Sequence, residues 1–563
     1  METDRILLRP WRKSDAELLY KHASDPEVGP RAGWPPHTSV EESLNIICTV
    51  FHNDHTWAIV LKNTEMPIGC MGYYPHGESN IPIGEHDAEL GYWVARPYWN
   101  RGICTEALLL MIDYCFREKG FRTLWCDHFV DNPASGRVME KCCFRDTGEV
   151  NHLSHLYRSD GRPVKIMKLE QHNMKHYEFD EIIDRRGSDC FKWDAPAKQY
   201  GRDDLTPMWV ADMDFRSPDF VMEAIRKRCN HEVLGYTMPS EAYWQAVTGW
   251  LQKHYNIQTT KDELHFIPGI VAGISYALLC LTNPGDKVLV TTPVYPPFLN
   301  LPKESGRKLV CSPLKIGNGR FAIDFEDFER KSEGCKVFIM SNPHNPAGTV
   351  WGKEVLQRIA GICERKDIIV ISDEIHADLT LPPHKHVSYS TVSETAKKHS
   401  LTFMAPSKTF NIAGLGSSVC YIADEELRRR FFGWLDGLGV AGGNIFAFTA
   451  AEAAYAHGEG WLQQMLSYLN ANVQALDNAL KTKLPNVKAV MPEASYLAWL
   501  DFSAYGISHK ELADRLLNEA KVVLNDGTTF GGEEYEKCFR INLGCPKAML
   551  VDALGRMAAV VNK

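Results

Sequence analysis

The sequence predicts an α/β fold built from two modules, and three observations support this prediction. Short apolar runs of strand length alternate with segments of helix length along the chain. With 563 residues the chain is too long for one hydrophobic core. The sequence turns polar over residues 170–175. We therefore expect modules at residues 1–172 and 173–563.

The composition excludes several classes of function. Hydrophobic residues make up 44% and charged residues 24%, as in ordinary globular proteins. A net charge of -9 argues against nucleic acid or an anionic membrane as the main partner. No apolar stretch is long enough to cross a bilayer, and the acidic start does not read as a secretory signal. We expect a small-molecule substrate.

The cysteines and histidines indicate a reducing compartment without a metal site. The 16 cysteines are scattered, with no Cys-x-x-Cys pair, which favours reduced thiols in the cytoplasm. His384 and His386 are spaced like a metal pair, but no third ligand is in view, so a solvated loop is expected and no metal.

The first module reads as strands near residues 6–8, 57–61 and 89–94, with an apolar helix over 105–116. The turn before this helix would expose backbone N–H groups that suit a pyrophosphate. Its candidate residues are Arg101, Gly102, Cys104 and Thr105. Asn132 opens a second helix, with proline at its first turn. Either feature alone could be ordinary helix capping.

The second module repeats apolar strand-like runs at residues 287–290, 336–340 and 367–371. A loop rich in Pro, Asn, Asp or Ser follows each run. Strands that alternate with helices predict a sheet covered by helices, with sites at the carboxyl ends of the strands.

Lys408 lies in one such loop, and residues 405–411 read Ala-Pro-Ser-Lys-Thr-Phe-Asn. An aldehyde cofactor that stores electrons needs an amine, a carboxylate at its ring nitrogen and a donor to its ring oxygen. Lys408, Asp373 and either Asn345 or His376 supply this set, which predicts pyridoxal phosphate. Alone, Lys408 could be a surface lysine, Asp373 a helix N-cap and Asn345 a turn residue.

Other residues would complete this site. Val271 and Ala272 start an apolar helix and could offer N–H groups to a phosphate, and Ser407 could add a hydroxyl. Tyr295 could stack on the ring or belong to the core. Arg540 lies in a strand-like run and could bind a substrate carboxylate with its planar fork, or form a structural ion pair.

From about residue 175 the chain resembles the fold-type I pyridoxal phosphate enzymes of the class I/II aminotransferase superfamily, and within it the MalY/PatB-type cystathionine β-lyases. The matching segments run in family order through the whole module: residues 207–215, 235–237, 341–348, 372–376, 405–411 and 539–542.

The resemblance implies a large domain at about 220–460 and a small domain from 175–215 and 465–563. It also implies that Tyr236 reaches the phosphate of the neighbouring subunit's cofactor, hence a homodimer. Residues 409–424 contain no basic residue, where many relatives place a phosphate-binding arginine. His376 stands where many aminotransferases carry tyrosine. Both departures are typical of the lyase branch.

Residues 3–169 resemble the GNAT acetyltransferases of the RimJ/RimL type, on the segments 7–11, 88–94, 99–107 and 132–135. The resemblance implies an α+β domain that uses acetyl-CoA, with the pyrophosphate at the helix start and direct attack by an amine. Glu89 could be a general base or a structural carboxylate. His128 is expected to be satisfied by ordinary hydrogen bonds.

The leading hypothesis is therefore a bifunctional enzyme. One module would expel a thiol from cystathionine or another cysteine S-conjugate, leaving pyruvate and ammonia, and the other would acetylate an amine. The residue types alone would equally support transamination, so elimination depends on the resemblance. A regulatory protein whose first module only binds CoA is a second alternative.

Overall fold

The computed structural model describes residues 1–3, 5–151, 162–170 and 176–563. The chain forms two compact units, Met1–Tyr177 and Glu178–Lys563. The module boundary expected at 172/173 lies outside the described residues. Within the described ranges, no helix combines the length and apolar character that a membrane crossing requires.

The first unit is a seven-stranded sheet with helices on both faces. Its strands, in the order β1-β2-β3-β4-β5-β7-β6, are β1 Ile6–Pro10, β2 Thr56–Leu61, β3 Met66–Pro75, β4 Asp87–Val94, β5 Thr123–Phe129, β6 Arg145–Asn151 and β7 Val164–Glu170. Its helices are α1 Ala16–Ala23, α2 Val40–Thr49, α3 Ile103–Arg117 and α4 Pro133–Lys141. Val94 packs into the core with α3, while its neighbour Trp93 packs on the cluster of α1 and α2, because successive side chains of a strand point to opposite faces.

β4 and β5 run parallel, and they are hydrogen-bonded only over the first residues of each strand. Their register joins residues 87–89 to residues 123–125, although both strands continue beyond it. Further along, Sγ of Cys126 donates to the carbonyl of Leu90 at 3.0 Å. α3 follows β4 and α4 follows β5, so both helix starts lie beyond the point where the strands part.

The second unit contains a mixed eight-stranded sheet, in the order β12-β11-β10-β13-β14-β15-β16-β9. The strands are β9 Leu264–Ile267, β10 Lys287–Thr292, β11 Lys308–Gly317, β12 Arg320–Ile323, β13 Cys335–Ser341, β14 Ile369–Asp373, β15 Ser400–Met404 and β16 Ser418–Tyr421. The five strands from β11 through β15 in this order run parallel. Val288 and Val290 of β10 enter one core and Leu289 the other, so the sheet is buried on both faces, as parallel sheets are.

A smaller sheet and a two-stranded pair complete this unit. They contain β8 Thr206–Pro207, β17 Lys488–Val490, β18 Leu497–Asp501, β19 Val522–Val523, β20 Asn525–Asp526 and β21 Cys538–Asn542. The small sheet has the order β17-β18-β21-β20, and β8 pairs with β19, which ties the start of the unit to its end.

The helices of the second unit cover both sheets. They are α5 Phe191–Tyr200, α6 Asp219–Cys229, α7 Glu241–Tyr255, α8 Ile270–Leu281, α9 Pro296–Glu304, α10 Phe325–Lys331, α11 Lys353–Arg365, α12 Glu394–Lys398, α13 Glu425–Leu438, α14 Ile445–His457, α15 Glu459–Thr482, α16 His509–Asp514 and α17 Lys547–Val561. The α/β fold expected from the sequence is confirmed.

Candidate active site

The carboxyl ends of β13, β14 and β15 bring the candidate residues of the second unit together. Asp373 is the last residue of β14 and is in register with Ser341 on one side and Phe403 on the other. The loop after β13 carries Asn345, and the loop after β15 carries Lys408. Parallel strands end at the same edge of a sheet, so these residues converge there.

Lys408 points its amine at a backbone carbonyl. Its Nζ donates to the carbonyl of Ala211 at 2.6 Å. Burial lowers the pKa of Lys408 to about 8; Asp212 and Asp373 oppose this shift, and Arg540 adds to it. A larger share of neutral amine is therefore present near neutral pH than for an exposed lysine.

Asp373 is a buried carboxylate that lacks a full counter-charge. Its Oδ1 accepts a 3.1 Å hydrogen bond from the N–H of Ile375. Burial raises its pKa to about 7, while that hydrogen bond and the charge of Lys408 act in the opposite direction. A cationic group beside Asp373 would therefore favour its ionised form.

His376 is a neutral imidazole in the same region. Its Nδ1 lies 3.1 Å from Oγ of Ser495, and its ring meets the ring of Tyr496 edge-on at 6.1 Å. Burial, with the charges of Lys408 and Arg540, lowers the pKa of His376 to about 3.

Arg540 reaches this region from β21. It donates from Nη1 to Oδ1 of Asn345 at 2.9 Å, and from Nη2 to Oδ1 of Asn525 at 2.6 Å and to the carbonyl of Trp209 at 3.0 Å. These partners are neutral, and Nε has no hydrogen-bond partner among the described residues. Burial lowers the pKa of Arg540 to about 10, so the group is still a cation at neutral pH, able to attract an anion.

The residues expected to hold the phosphate and the ring come from three further places in the second unit. Gly269, with φ of 131°, precedes α8 and is followed by Val271 and Ala272 in the first helical turn, where backbone N–H groups have no partner within the helix. Ser407 is buried beside Lys408. Burial raises the pKa of Tyr295; the charge of Asp373 adds to this shift and the charge of Arg540 opposes it.

Tyr236 is placed differently from the buried set. Its side chain is fully exposed, and all of residues 231–238 are exposed.

Sequence reasoning missed several residues here. Tyr496 is buried, and its hydroxyl donates to the carbonyl of Ala211 at 3.0 Å. Asn525, which accepts from Arg540, is another residue that the sequence does not indicate.

The prediction of a solvated loop is wrong for His386, whose side chain is 4% exposed and whose Nε2 lies 2.8 Å from Oε2 of Glu374. No group of three or more potential metal ligands occurs in the described part of the chain.

In the first unit, the candidate residues lie at the two helix starts beyond the parting strands. Gly102 adopts φ of 75° as the N-cap of α3, a conformation that glycine reaches at little cost. Arg101 lies 5.6 Å from the centroid of the Tyr98 ring. Cys104 and Thr105 are in the first turn, and burial raises the pKa of Cys104 to about 12, which makes it a neutral thiol.

Asn132 is the N-cap residue of α4, but its side chain forms no capping bond. Its Nδ2 donates instead to the carbonyl of Arg31 at 3.2 Å. Near it, the hydroxyl of Tyr92 on β4 donates to the carbonyl of Ser135 in α4 at 3.1 Å, which bridges the gap between β4 and α4.

Glu89 holds a turn: its Oε2 accepts bonds from Oγ of Ser79 at 2.8 Å and from the N–H of Asn80 at 2.6 Å. Asp127, which the sequence did not single out, has its pKa raised to about 7 by burial and then by the charge of Glu89. His128 is buried, with Nδ1 2.9 Å from the carbonyl of Phe129.

Comparison with known proteins agrees with this geometry. Residues 204–557 match the family described as aminotransferase class I and II, and residues 5–145 match the acetyltransferase (GNAT) domain family. The chain is 43% identical over 388 residues to cystathionine beta-lyase PatB of Bacillus subtilis (strain 168), covering 68% of this chain and 100% of that protein. It is 32% identical to a cystathionine beta-lyase of Corynebacterium glutamicum, over 69% of this chain and 100% of that one.

Solved structures are similar as well, among them the following two. Cystalysin from Treponema denticola, which contains a pyridoxal 5'-phosphate cofactor, superimposes with a TM-score of 0.67 at 32% identity, covering 69% of this chain and 99% of its own. The PLP-bound C-S lyase from Staphylococcus hominis gives 0.64 at 35% identity, with coverages of 69% and 99%.

Proposed function

The chain belongs to the class I and II aminotransferase family and carries an N-terminal GNAT acetyltransferase domain, and we propose that it is a bifunctional enzyme. Its second unit is a pyridoxal-phosphate-dependent cystathionine β-lyase, and its first unit transfers an acetyl group from acetyl-CoA to an amine. The observation that carries the lyase assignment is the 43% identity to a cystathionine β-lyase. The amine of Lys408 and the buried carboxylate of Asp373 support the cofactor that this reaction needs.

The residues present fit pyridoxal phosphate. When bound, the cofactor supplies an aldehyde that bonds to an amine and a ring that stores the electrons of a carbanion. Asp373 would hold the positive ring nitrogen, since its raised pKa reports a buried acid that lacks a cation. Asn345 and His376 would face the ring oxygen, and Tyr295 would stack on the ring.

The phosphate would be held without an arginine from the loop after Lys408, because residues 409–424 contain no basic residue. The N–H groups of Val271 and Ala272 and the hydroxyl of Ser407 would take its oxygens. A helix start favours an anion through its dipole and its free N–H groups.

The substrate would be held by Arg540 and deprotonated by Lys408. Arg540 is a buried cation whose Nε has no partner among the described residues, so the substrate carboxylate can bind there. The neutral amine of Lys408 would take the proton from the α-carbon. The bond from the β-carbon to sulfur then breaks, the thiolate leaves with the electron pair, and water releases pyruvate and ammonia.

We propose a homodimer in which Tyr236 reaches the phosphate in the neighbouring subunit. The exposure of the segment 231–238 supports this: Val233, Leu234 and Met238 are 66%, 63% and 81% exposed. A run of exposed apolar side chains is typical of a surface that another chain covers.

All 16 cysteines are free thiols, which supports a location in the reducing cytoplasm.

Acetyl-CoA would bind in the first unit where β4 and β5 part. The N–H groups after Gly102, together with Arg101, Cys104 and Thr105, would receive the pyrophosphate, and Asn132 lies at the neighbouring helix start.

We also propose that the module boundary lies near 172/173. The second unit would divide into a large domain at about 220–460 and a small domain from 175–215 and 465–563. The pairing of β8 with β19 supports the composite small domain.

Incubation of the purified protein with cystathionine, without a keto acid, tests the lyase assignment. Free thiol and pyruvate should appear together. Amino-group transfer that requires a keto acid and releases no thiol would instead identify an aminotransferase. For the first unit, release of CoA from acetyl-CoA in the presence of a panel of amines supports catalysis, and binding without turnover supports the regulatory alternative.

A further inference from the structure

The carbonyl oxygen of Ala211 accepts hydrogen bonds from two side chains that come from distant parts of the chain. Nζ of Lys408 donates to it at 2.6 Å, and the hydroxyl of Tyr496 donates at 3.0 Å. A carbonyl oxygen has two lone pairs, so both donors can bind at once.

The loop that carries this carbonyl is held on all sides. Asn542 donates from Nδ2 to the carbonyls of Val210 at 2.6 Å and Asp212 at 2.7 Å. The carbonyl of Trp209 accepts from Arg540, and the N–H of Met213 donates to Oδ1 of Asn411 at 3.1 Å. These bonds restrain the residues on either side of Ala211, whereas the Ala211 oxygen itself is bound by Lys408 and Tyr496.

A buried ionic cluster holds the far end of the same loop. Lys192 is 1% exposed and donates to Oδ2 of Asp214 at 2.7 Å and to the carbonyl of Asp212 at 3.0 Å. Arg185 bridges both carboxylates, at 2.9 Å to Asp212 and 2.7 Å to Asp214. These contacts hold Asp212 and Asp214, which follow Ala211. The carbonyl oxygen of Ala211 itself accepts from Lys408 and Tyr496.

Tyr496 is fixed as firmly as the loop. It is 1% exposed, its carbonyl accepts from the N–H of Leu543 at 2.6 Å, and its ring packs edge-on against His376. Its hydroxyl is thus aimed at Ala211 by the surrounding structure.

We propose that Tyr496 is a positioning residue, which fixes the Ala211 carbonyl as the resting place of the Lys408 amine whenever that amine is not bonded to the cofactor. The proposal rests on the assignment of Lys408 as the residue that attaches pyridoxal phosphate. It adds a role for a side chain to which the proposed function assigns none.

The second donor also tunes how strongly the amine is held. A carbonyl that accepts from Lys408 alone stabilises the ammonium form more than one shared with a tyrosine hydroxyl. Asp212 and Asp373 also favour the ammonium, while burial and the charge of Arg540 oppose it, and His376 faces it as a neutral ring. Loss of the Tyr496 hydroxyl should therefore move Lys408 toward the protonated, unreactive form.

Uptake of pyridoxal phosphate by the cofactor-free protein tests this proposal. Uptake depends on a neutral Lys408 amine, and it can be measured without any lyase turnover. The growth of visible absorbance is followed between pH 6 and 9 for the wild type and for Tyr496→Phe. We expect the midpoint of the pH–rate curve to rise by about half a unit, so that uptake at pH 7 slows about threefold. Rates above the midpoint should converge.

Tyr243→Phe is the matched control. Tyr243 is fully buried in the same unit, and its hydroxyl has no hydrogen-bond partner among the described residues, so the same chemical change there should leave the midpoint in place. An unchanged midpoint in Tyr496→Phe, with loss of uptake only in Tyr496→Leu, would show that the ring merely packs and would overturn the proposal.

A structure of the cofactor-free wild type adds a test that needs no variant. Nζ of Lys408 beyond hydrogen-bond reach of the Ala211 carbonyl would also overturn the proposal. Normal cofactor uptake without thiol release would refute the lyase assignment and leave this role of Tyr496 standing.

Discussion

Arg540 donates a 2.9 Å hydrogen bond from Nη1 to the side-chain oxygen of Asn345. This bond joins the middle of β21, in the small sheet, to the loop that follows β13 in the large sheet. The residue proposed to bind the substrate carboxylate therefore contacts a residue proposed to face the cofactor ring. Under this proposal, substrate and cofactor would share one hydrogen-bond network.

Arg540→Lys should weaken substrate binding more than it slows turnover. Lysine has one nitrogen and cannot reach Asn345, Asn525 and the carbonyl of Trp209 while also binding a carboxylate. We expect the KM for cystathionine to rise roughly tenfold to a hundredfold, as for loss of a charge-assisted pair. Steady-state thiol release measures this, with Arg556→Lys on α17 as the control. Equal KM values in both variants would remove Arg540 from the substrate site.

Lys408→Ala should abolish the visible absorbance of the bound cofactor and the release of thiol, because no other amine is proposed to attach the aldehyde. Acetyl transfer should persist, since the first unit has its own core. Absorbance, thiol release and CoA release are measured on the same sample. Lys385→Ala, at an exposed lysine of the same unit, should retain both activities, and loss of both in Lys408→Ala would contradict independent units.

Asp373→Asn should abolish elimination and yet stabilise the cofactor-free protein at high pH. The pKa of Asp373 is 3.8 in the unfolded reference and about 7 when folded. The folded state therefore binds the proton more tightly, so the wild type loses stability as pH rises from 3.8 to about 7. Asparagine carries no such charge and avoids this loss.

Urea unfolding at pH 5 and pH 8 measures the effect. The stability gained by Asp373→Asn should be larger at pH 8, by on the order of 3 kcal/mol. Asp552→Asn, at an exposed carboxylate, should gain nothing comparable. A gain for Asp373→Asn that is the same at both pH values would argue against a buried, ionisable acid at the end of β14.

Mixing two impaired variants tests the shared site of the proposed homodimer. Lys408→Ala and Tyr236→Ala should each be impaired alone. After the subunits exchange, half of the dimers combine both chains, and each of these has one intact site, so about a quarter of the wild-type activity should return. Thiol release before and after mixing measures this. Absence of recovery, with exchange verified by mass, would place Tyr236 outside its neighbour's site.

Arg101→Ala should raise the KM for acetyl-CoA about fivefold, because one exposed positive charge beside a pyrophosphate is removed. Release of CoA at varied acetyl-CoA concentrations checks this, and thiol release should not change. Arg122→Ala, at another exposed arginine of the first unit, provides the comparison. An equal effect in the two variants would move the pyrophosphate away from the start of α3.

Much of the strand and helix pattern follows from local apolar runs. The helix expected over residues 105–116 is α3 Ile103–Arg117, and the strand expected over 287–290 is β10 Lys287–Thr292. The run at 367–371 is shifted, because Asp367 takes φ of 53° and β14 begins at Ile369. Such shifts at element ends arise from turn geometry that apolar periodicity does not encode.

The candidate site was only partly accessible from the sequence. Lys408 and Asp373 carry side-chain chemistry in recognisable loops, so their residue types and positions indicated them. Ala211 acts through a backbone carbonyl, which every residue has. Tyr496 donates to this carbonyl although the two residues are 285 positions apart in the sequence. The composition of its polar loop does not predict the burial of His386, because the loop folds back onto Glu374 through a tertiary contact.

The separate cores of the two units bear on how such a chain can arise. The apolar clusters of the first unit draw on residues before position 177, and those of the second on residues after it. Among the described residues, each unit thus has apolar clusters of its own. A chain with such separate cores is the kind that joining two genes would produce, because each product would bring its own hydrophobic core.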